Sequence, residues 1–174
     1  MAADALRRII VDRAQRHIGD VADGLLEGLG ETLGVSRAYV FRYERGDRLM
    51  VSQVREWVAP GVVPQIDNPD LQGLDLHDAG FGRWARELLE DGVLAGPVAT
   101  FPPAEQPLLE AQAIQSLIVV PIWFQDEAWG FLGFDDCERP RTWSEAEADA
   151  LRHAAALLAE SIEQAARNQA ALGG

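Results

Sequence analysis

Apolar residues dominate positions 114–137 and predict a hairpin whose two strands are buried on both faces. In the first strand, at 116–124, both alternating sets of residues are apolar, so the polar face of a half-exposed strand is absent. Pro121 cannot donate a hydrogen bond and predicts an edge position or a bulge within this strand. The second strand repeats the pattern, with Trp129 and Phe131 expected on one face and Leu132 and Phe134 on the other. A polar turn at 125–127 joins the strands.

A long amphipathic helix is predicted at the C-terminal end, over residues 143–174. Its beginning fits a capping box, because Ser144 is followed three residues later by Glu147. Apolar residues then recur in steps of four and three, which is typical of a dimer seam. The members of this predicted seam are Leu151, Ala155, Leu158, Ile162, Ala165 and Gln169. Ala154 and Leu157 form a second apolar surface, which we expect to pack on the sheet.

The rest of the chain divides into an N-terminal helix and a sheet core. Residues 1–34 carry a helical stripe of apolar side chains, namely Ile10, Ala14, Ile18, Val21, Leu25 and Leu29. Residues 35–142 form the core, with further strands predicted at 37–45 and 49–58. Between these strands and the hairpin, residues 59–113 hold seven of the nine prolines and predict a loop-rich insert. Within the insert, a short helix, a strand and a helical turn are predicted at 81–90, 93–96 and 104–113.

The order of these elements predicts an α+β fold. Tight turns join consecutive strands, so antiparallel pairing is the simplest arrangement. The terminal helices then cover one face of the sheet and the insert covers the other, which buries both faces of the apolar strands.

The charge of the chain argues against several partners. The formal net charge is −13, and all 15 of the Lys or Arg residues are arginine. Most of the excess acid lies in residues 56–174, so nucleic-acid phosphates and anionic membranes would be repelled. The single Cys137 excludes an intramolecular disulfide and fits a reducing cytoplasm. No apolar run is long enough to insert into a membrane, and no metal site is expected, since no histidine accompanies the acids beside Cys137.

Several segments resemble the GAF family, in particular the GAF domains of bacterial sensor histidine kinases and related signalling proteins. These segments are SRAYVF at 36–41, FGRW at 81–84, IQSL at 114–117 with VPI at 120–122, WGFLGFDD at 129–136 and WSEAE at 143–147. The resemblance covers residues 20–164. It implies an antiparallel sheet of five or six strands, terminal helices that dimerise and transmit signals, and a pocket between sheet and insert. It names no ligand, because GAF domains variously bind cyclic nucleotides, linear tetrapyrroles, haem or small metabolites.

Three specialised kinds of GAF domain fit these residues poorly. Members that bind cyclic nucleotides use a motif that includes lysine, and this chain has none. Members that bind bilins attach the chromophore through a cysteine, commonly in the insert, whereas Cys137 lies outside it. Free methionine sulfoxide reductases use paired cysteines, which one cysteine cannot supply.

The expected function is therefore non-enzymatic. The sequence predicts a cytoplasmic, homodimeric sensory module that binds a small ligand and relays its state to an output domain such as a histidine kinase. The cofactor is unknown. Two alternatives stay open: a ligand-free dimerisation scaffold, and an enzyme of the sulfoxide reductase type.

Candidate ligand-binding residues come from the insert and the first strands. Phe81, Arg83 and Trp84 combine two aromatic rings with a guanidinium on a short helix, which suits a planar or anionic ligand. The expected floor of the pocket consists of Tyr39, Phe41, Tyr43 and Trp57. His77, in the insert, is a further candidate, although a histidine between acids is commonly an exposed loop residue. No catalytic residue is predicted, because no Ser or Cys nucleophile lies in a recognisable motif.

Overall fold

The computed structural model describes the backbone of residues 2–173 and the side chains of residues 16, 18–47 and 49–172. Met1 and Gly174, which the predicted terminal helices include, lie outside the described residues, as do the side chains of Ile10 and Ala14. The strands are β1 (Arg37–Glu44), β2 (Asp47–Val58), β3 (Leu74–Asp75), β4 (Leu94–Pro97), β5 (Ser116–Phe124) and β6 (Glu127–Asp136). The helices are α1 (Ala2–Leu33), α2 (Gly82–Leu89), α3 (Gln106–Ala111) and α4 (Glu145–Gly173).

All six strands belong to one antiparallel sheet, in the order β3-β2-β1-β6-β5-β4. The terminal helices α1 and α4 pack on one face. The insert, which contains β3, α2, β4 and α3, covers the other face. This arrangement confirms the predicted α+β fold, and the expected antiparallel sheet of five or six strands has six.

Two separate hydrophobic cores lie on the two faces of the sheet. We call the side under the terminal helices the helix core and the side under the insert the insert core. In β5, Ile118, Val120 and Ile122 belong to the helix core, while Leu117 and Val119 belong to the insert core. The hairpin strands are thus buried on both faces, as their apolar pattern predicts.

The hairpin also explains how a proline fits into β5. β4 pairs only with the first part of β5, from Ser116 to Val119, so Pro121 lies beyond the end of that neighbour. The turn to β6 consists of Gln125 and Asp126, both with positive φ (49° and 61°). Two consecutive residues of this kind give a tight hairpin turn that follows the natural twist of the strands.

A β-bulge changes one predicted face in β6. The register shifts between Ile122 and Trp123, so that Trp123 pairs with Ala128 and Ile122 with Gly130. Trp129 between them has no direct partner, and it packs against the helix core rather than beside Phe131. The prediction that Trp129 and Phe131 share a face is therefore wrong, because the bulge reverses the alternation.

The capping box of α4 is present. The backbone N–H of Ser144 donates to Glu147 Oε2 at 2.7 Å, and the N–H of Glu147 donates to Ser144 Oγ at 3.1 Å. Each side chain satisfies a backbone donor that the first turn of the helix leaves without a partner.

The apolar seam of α4 faces inward rather than towards a second copy. Leu151, Leu158 and Ile162 belong to the helix core and are at most 9% exposed. Leu157, which we expected on the sheet, is 50% exposed. The three seam residues and Ala154, which is 3% exposed, thus all belong to the helix core, and Leu157 lies on the other side of the helix. The wider stripe of small and branched residues is the one that the sheet and α1 cover. Among the described helices, none is both long and apolar enough to cross a bilayer.

Candidate ligand pocket

A small cavity lies between the sheet and the insert. Its volume is about 40 Å³, which is room for water, whereas a well-studied cavity that binds benzene measures about 150 Å³. Apolar side chains form most of its wall: Tyr39, Phe41, Leu71, Leu74, Leu76, Phe81, Trp84, Leu108, Leu109, Ile114 and Phe131. A larger molecule needs more room than this cavity offers.

Aromatic rings join the insert to the sheet across this cavity. Phe41 and Phe131 stack with ring centroids 4.9 Å apart, on the neighbouring strands β1 and β6. Trp84 of α2 meets Phe131 edge-on at 6.2 Å and meets Phe81 at 5.1 Å. Such edge-to-face contacts stabilise the packing of α2 on the sheet.

One end of the cavity is polar and is organised by Arg37, which is 2% exposed. Its guanidinium donates from Nε to the carbonyl of Val63 at 2.9 Å and from Nη2 to the carbonyl of Gln112 at 3.0 Å. These carbonyls belong to the beginning and the end of the insert. A single buried side chain of β1 therefore fastens both ends of the insert to the sheet.

Two carboxylates face Arg37. Asp135 Oδ2 accepts from Nη1 at 3.3 Å, and Glu56 Oε1 lies 3.9 Å from Nε. Glu56 also accepts the backbone N–H groups of Gln65 and Ile66 at 2.9 Å. The pKa of Asp135 is raised to about 7, mainly by burial, with Arg37 lowering it and the carboxylate of Glu56 adding to the rise. Asp135 therefore gains and loses its proton near neutral pH.

Gln53 of β2 is the remaining polar residue of the cavity wall. It is 4% exposed, and its side-chain oxygen Oε1 is buried and accepts no hydrogen bond. It lies opposite Phe41 in the sheet, and so on the cavity side.

A second buried charged residue, Glu105, fixes the part of the insert that covers the cavity. Glu105, which precedes α3 and is 1% exposed, accepts from Arg83 Nε at 2.9 Å and from Nη2 at 2.7 Å. Trp84 Nε1 donates to the same carboxylate at 2.9 Å. Since a bidentate Arg–carboxylate pair has a defined geometry, Glu105 fixes α2 relative to α3.

The structure brings only some of the predicted site residues to the cavity. Phe41, Phe81 and Trp84 line it. Tyr43 packs in the same core without lining the cavity, and its hydroxyl is buried with no partner. Arg83 lies outside the lining and pairs with Glu105.

Two other predicted site residues lie elsewhere. His77 is exposed and does not line the cavity; its backbone N–H donates to Asp75 Oδ1 at 2.9 Å. Trp57 packs on the opposite face, in the helix core, where its ring lies so close to Gly30 of α1 that any side chain there would overlap it. A register shift between Val40 and Phe41 leaves Val54 unpaired and places the later residues of β2 on the opposite face from the one that alternation predicts.

The polar residues of the wall are not among the predicted site residues: Arg37, Gln53, Glu56, Gln112 and Asp135. A signal for two of them was present, since Arg37 lies two residues before Tyr39 and Asp135 four residues after Phe131. Alternation puts both on the buried face. A charged residue in such a position needs a partner, and Arg37 and Asp135 are direct neighbours in the sheet.

Comparison with known proteins identifies the family. Residues 17–162 match the GAF domain model, and the chain belongs to the GAF family. It is 39% identical over 140 residues to the methanogenesis regulatory histidine kinase FilI of Methanothrix harundinacea, a match that covers 79% of this chain and 16% of that protein. It is also 42% identical over 52 residues to the circadian input-output histidine kinase CikA of Thermosynechococcus vestitus, covering 30% of this chain and 7% of that protein. The chain thus spans about a sixth or less of these relatives.

Solved structures agree on the fold. The photoproduct state of GAF3 from Slr1393 of Synechocystis sp. PCC6803 has a TM-score of 0.71 at 24% identity, covering 85% of this chain and 94% of that one. A phycoerythrobilin-bound GAF domain from a cyanobacterial phytochrome has a TM-score of 0.69 at 23% identity, covering 95% and 96%. The family and its histidine-kinase relatives support a sensory signalling module.

Proposed function

We propose that the chain is the ligand-responsive module of a larger signalling protein, and that a small molecule binds between the sheet and the insert. The observation that carries this proposal is the buried polar end of an otherwise apolar cavity, under a cover held by a few polar contacts. Apolar pockets with a small number of convergent polar groups are typical of small-ligand sites. The proposed role involves no catalytic step.

The proposed mechanism is a shift between two positions of the insert. The closed position keeps the cavity at about 40 Å³, so a ligand of ordinary size would bind an open position more tightly and increase its population. Opening would require Arg37 or Glu105 to release its partners in the insert.

The central strands would carry this change to the terminal helices. In β1, Tyr39 and Phe41 face the cavity, while Ala38 and Val40 pack in the helix core beside α1 and α4. A displacement of β1 towards or away from the insert therefore alters the packing of both helices. We propose that these helices pass the signal to an output domain such as a histidine kinase. The protein that contains them is proposed to be cytoplasmic.

We further propose a homodimer through the outer surface shared by α1 and α4, which we call the outer helix surface. It consists of Val21, Leu25, Leu157, Glu160, Ser161, Gln164 and Arg167. Leu157 is half exposed there, and Val21 and Leu25 are only partly covered. Apolar side chains left at the surface of two adjacent helices suit a helical interface with a polar rim.

A specific observation also favours a second candidate, the ligand-free dimerisation scaffold. Phe81 and Trp84 are 2% and 5% exposed, and both pack with Phe131 in the insert core, where only about 40 Å³ is left open. A pocket filled by its own side chains needs no ligand for stability.

A thermal-unfolding screen against a metabolite library separates the two candidates. A ligand at one hundred times its dissociation constant stabilises a protein by about 2.7 kcal/mol, which for this size is a rise in Tm of roughly 5–10 °C. Leu109→Phe, which adds volume to the cavity wall, is the control variant and should not respond. Hydrogen exchange in α4 should change when the ligand binds. A library with no active compound would support the scaffold.

A further inference from the structure

Among the described residues that line the cavity, only Gln53 has a buried side-chain polar atom without a hydrogen-bond partner. This atom is the amide oxygen Oε1. The backbone carbonyl of Gln53 is already used, since Gln72 Nε2 donates to it at 3.0 Å. The side-chain oxygen is not. A buried acceptor without a donor costs stability that a leucine or methionine in the same place would not. Such a group in a wall of rings calls for a functional explanation.

The charged groups of the cavity have their partners within the protein. Arg37 donates to Val63, Gln112 and Asp135, and both oxygens of Glu56 accept backbone N–H groups. Gln112 Nε2 donates to the carbonyl of Leu108 at 3.0 Å. Among the polar side-chain atoms of the wall in the described part of the chain, Gln53 Oε1 is the buried one without a partner.

The same arrangement disfavours charged ligands. An anion would meet two carboxylates, Glu56 and Asp135, and a single guanidinium that already has acceptors. A cation would lie beside Arg37 and find both carboxylates engaged. Burying an ion without a free counter-ion is costly.

We propose that the pocket selects an uncharged molecule with a compact apolar or aromatic body and one N–H or O–H group that donates to Gln53 Oε1. This inference rests on the proposed ligand-sensing function. The ring walls formed by Phe41, Phe131 and Trp84 would hold the body, and the donor would satisfy the buried oxygen.

Matched probe pairs test the selection. Pyrrole and indole each carry one N–H donor, while furan and benzofuran have nearly the same shape and none. Indole-2-carboxylate adds a negative charge. Binding to the purified chain is measured by NMR titration, which detects millimolar affinities, with the side-chain signals of Gln53 and Trp84 as local reporters.

We expect at least one donor probe to bind about tenfold or more tightly than its partner without a donor, and the carboxylate not to bind. In Gln53→Met this ratio should fall to about one while binding of the donor-free probe is retained, and Tm should be equal or higher. Gln115→Met, an exposed position, should keep the parent ratio.

Equal affinities within both pairs, preference for the donor-free probe, or an unchanged ratio in Gln53→Met would each overturn the proposal. Failure of all probes to bind would overturn it too. The metabolite screen then decides the sensing function separately, because a compound of another class that raises Tm would leave sensing intact. If Gln53→Met does not fold, the comparison within the parent protein decides.

Discussion

Arg37 and Asp135 show how individual residues set the properties of the pocket. They are neighbours across β1 and β6, both almost fully buried, and their ion pair lies where the ends of the insert meet the sheet. A buried ion pair is weak evidence for stability, since an apolar pair of similar size often stabilises as well or better. The ion pair instead fixes the position of the insert, because Arg37 also donates to the carbonyls of Val63 and Gln112.

Asp135 should give the domain a characteristic pH dependence. The pKa of its carboxyl is raised from 3.8 to about 7 in the folded chain, mainly by burial. Arg37 lowers this pKa, and Glu56 raises it. The folded state therefore holds a proton between about pH 4 and 7 that the unfolded chain has released. The contribution of Asp135 to the free energy of unfolding is fully present below about pH 4 and is lost as the pH rises through about 7.

Chemical denaturation of the parent and of Asp135→Asn, from pH 4 to 8, measures this contribution. The parent minus variant difference in free energy of unfolding should fall as pH rises, by up to a few kcal/mol, since each unit of pKa difference is worth about 1.4 kcal/mol. Asparagine keeps an oxygen that can accept from Arg37, so the variant should fold. A difference that grows with pH would show instead that the ionised carboxylate is the stable form beside Arg37.

At the scale of elements, two adjacent residues of α4 distinguish its inner and outer surfaces. Leu158 is 3% exposed in the helix core, and Leu157 is 50% exposed on the outer helix surface. We expect Leu158→Glu to destabilise the fold by more than about 3 kcal/mol, because it buries a charge without a partner. Leu157→Glu should keep a Tm close to that of the parent and shift the protein towards monomer, because it places like charges in the proposed interface.

Sedimentation velocity and thermal unfolding of both variants make this comparison. A Leu157→Glu protein with an unchanged sedimentation coefficient would remove the outer helix surface as the interface. The proposed pocket is not touched by either change.

The positions of the helices and strands follow closely from the sequence. The face of the sheet on which a given side chain lies does not always follow. Hydrophobic period, prolines and the capping box locate five of the six strands, the insert and the start of α4 to within a few residues, whereas the two-residue strand β3 is not predicted. The bulges beside Val54 and Trp129 reverse the alternation within their strands, and no residue type at these positions announces them. Simple alternation therefore predicts Trp57 in the floor of the pocket, whereas it lies under α1.

The wall of the pocket shows a second reason for incomplete prediction. Aromatic residues such as Phe41 and Trp84 could be selected because a loop-rich insert must pack on an apolar face. The polar residues depend on pairing between distant parts of the chain: Arg37 meets Asp135, 98 positions later, and Gln112, 75 positions later. Only the register of the sheet brings them together.

At the scale of the whole molecule, net charge opposes the proposed dimer. Each chain carries a formal charge of −13, so two copies repel one another at long range. The outer helix surface contributes Glu160 as well as Arg167, which gives little scope for an attraction that would offset the whole charge. Apolar contact through residues such as Leu157 must therefore hold the two copies together.

The dimer should consequently tighten as salt is added. Raising the ionic strength from about 10 mM to about 150 mM shortens the screening length from about 30 Å to about 8 Å, which removes most of the repulsion between exposed charges and leaves the apolar contact. We expect the dissociation constant from sedimentation equilibrium to fall several-fold over this range. Leu157→Glu should remain the weaker dimer at both ends of it. A dimer that weakens with salt would mean that ion pairs across the interface, rather than apolar contacts, hold the two copies together.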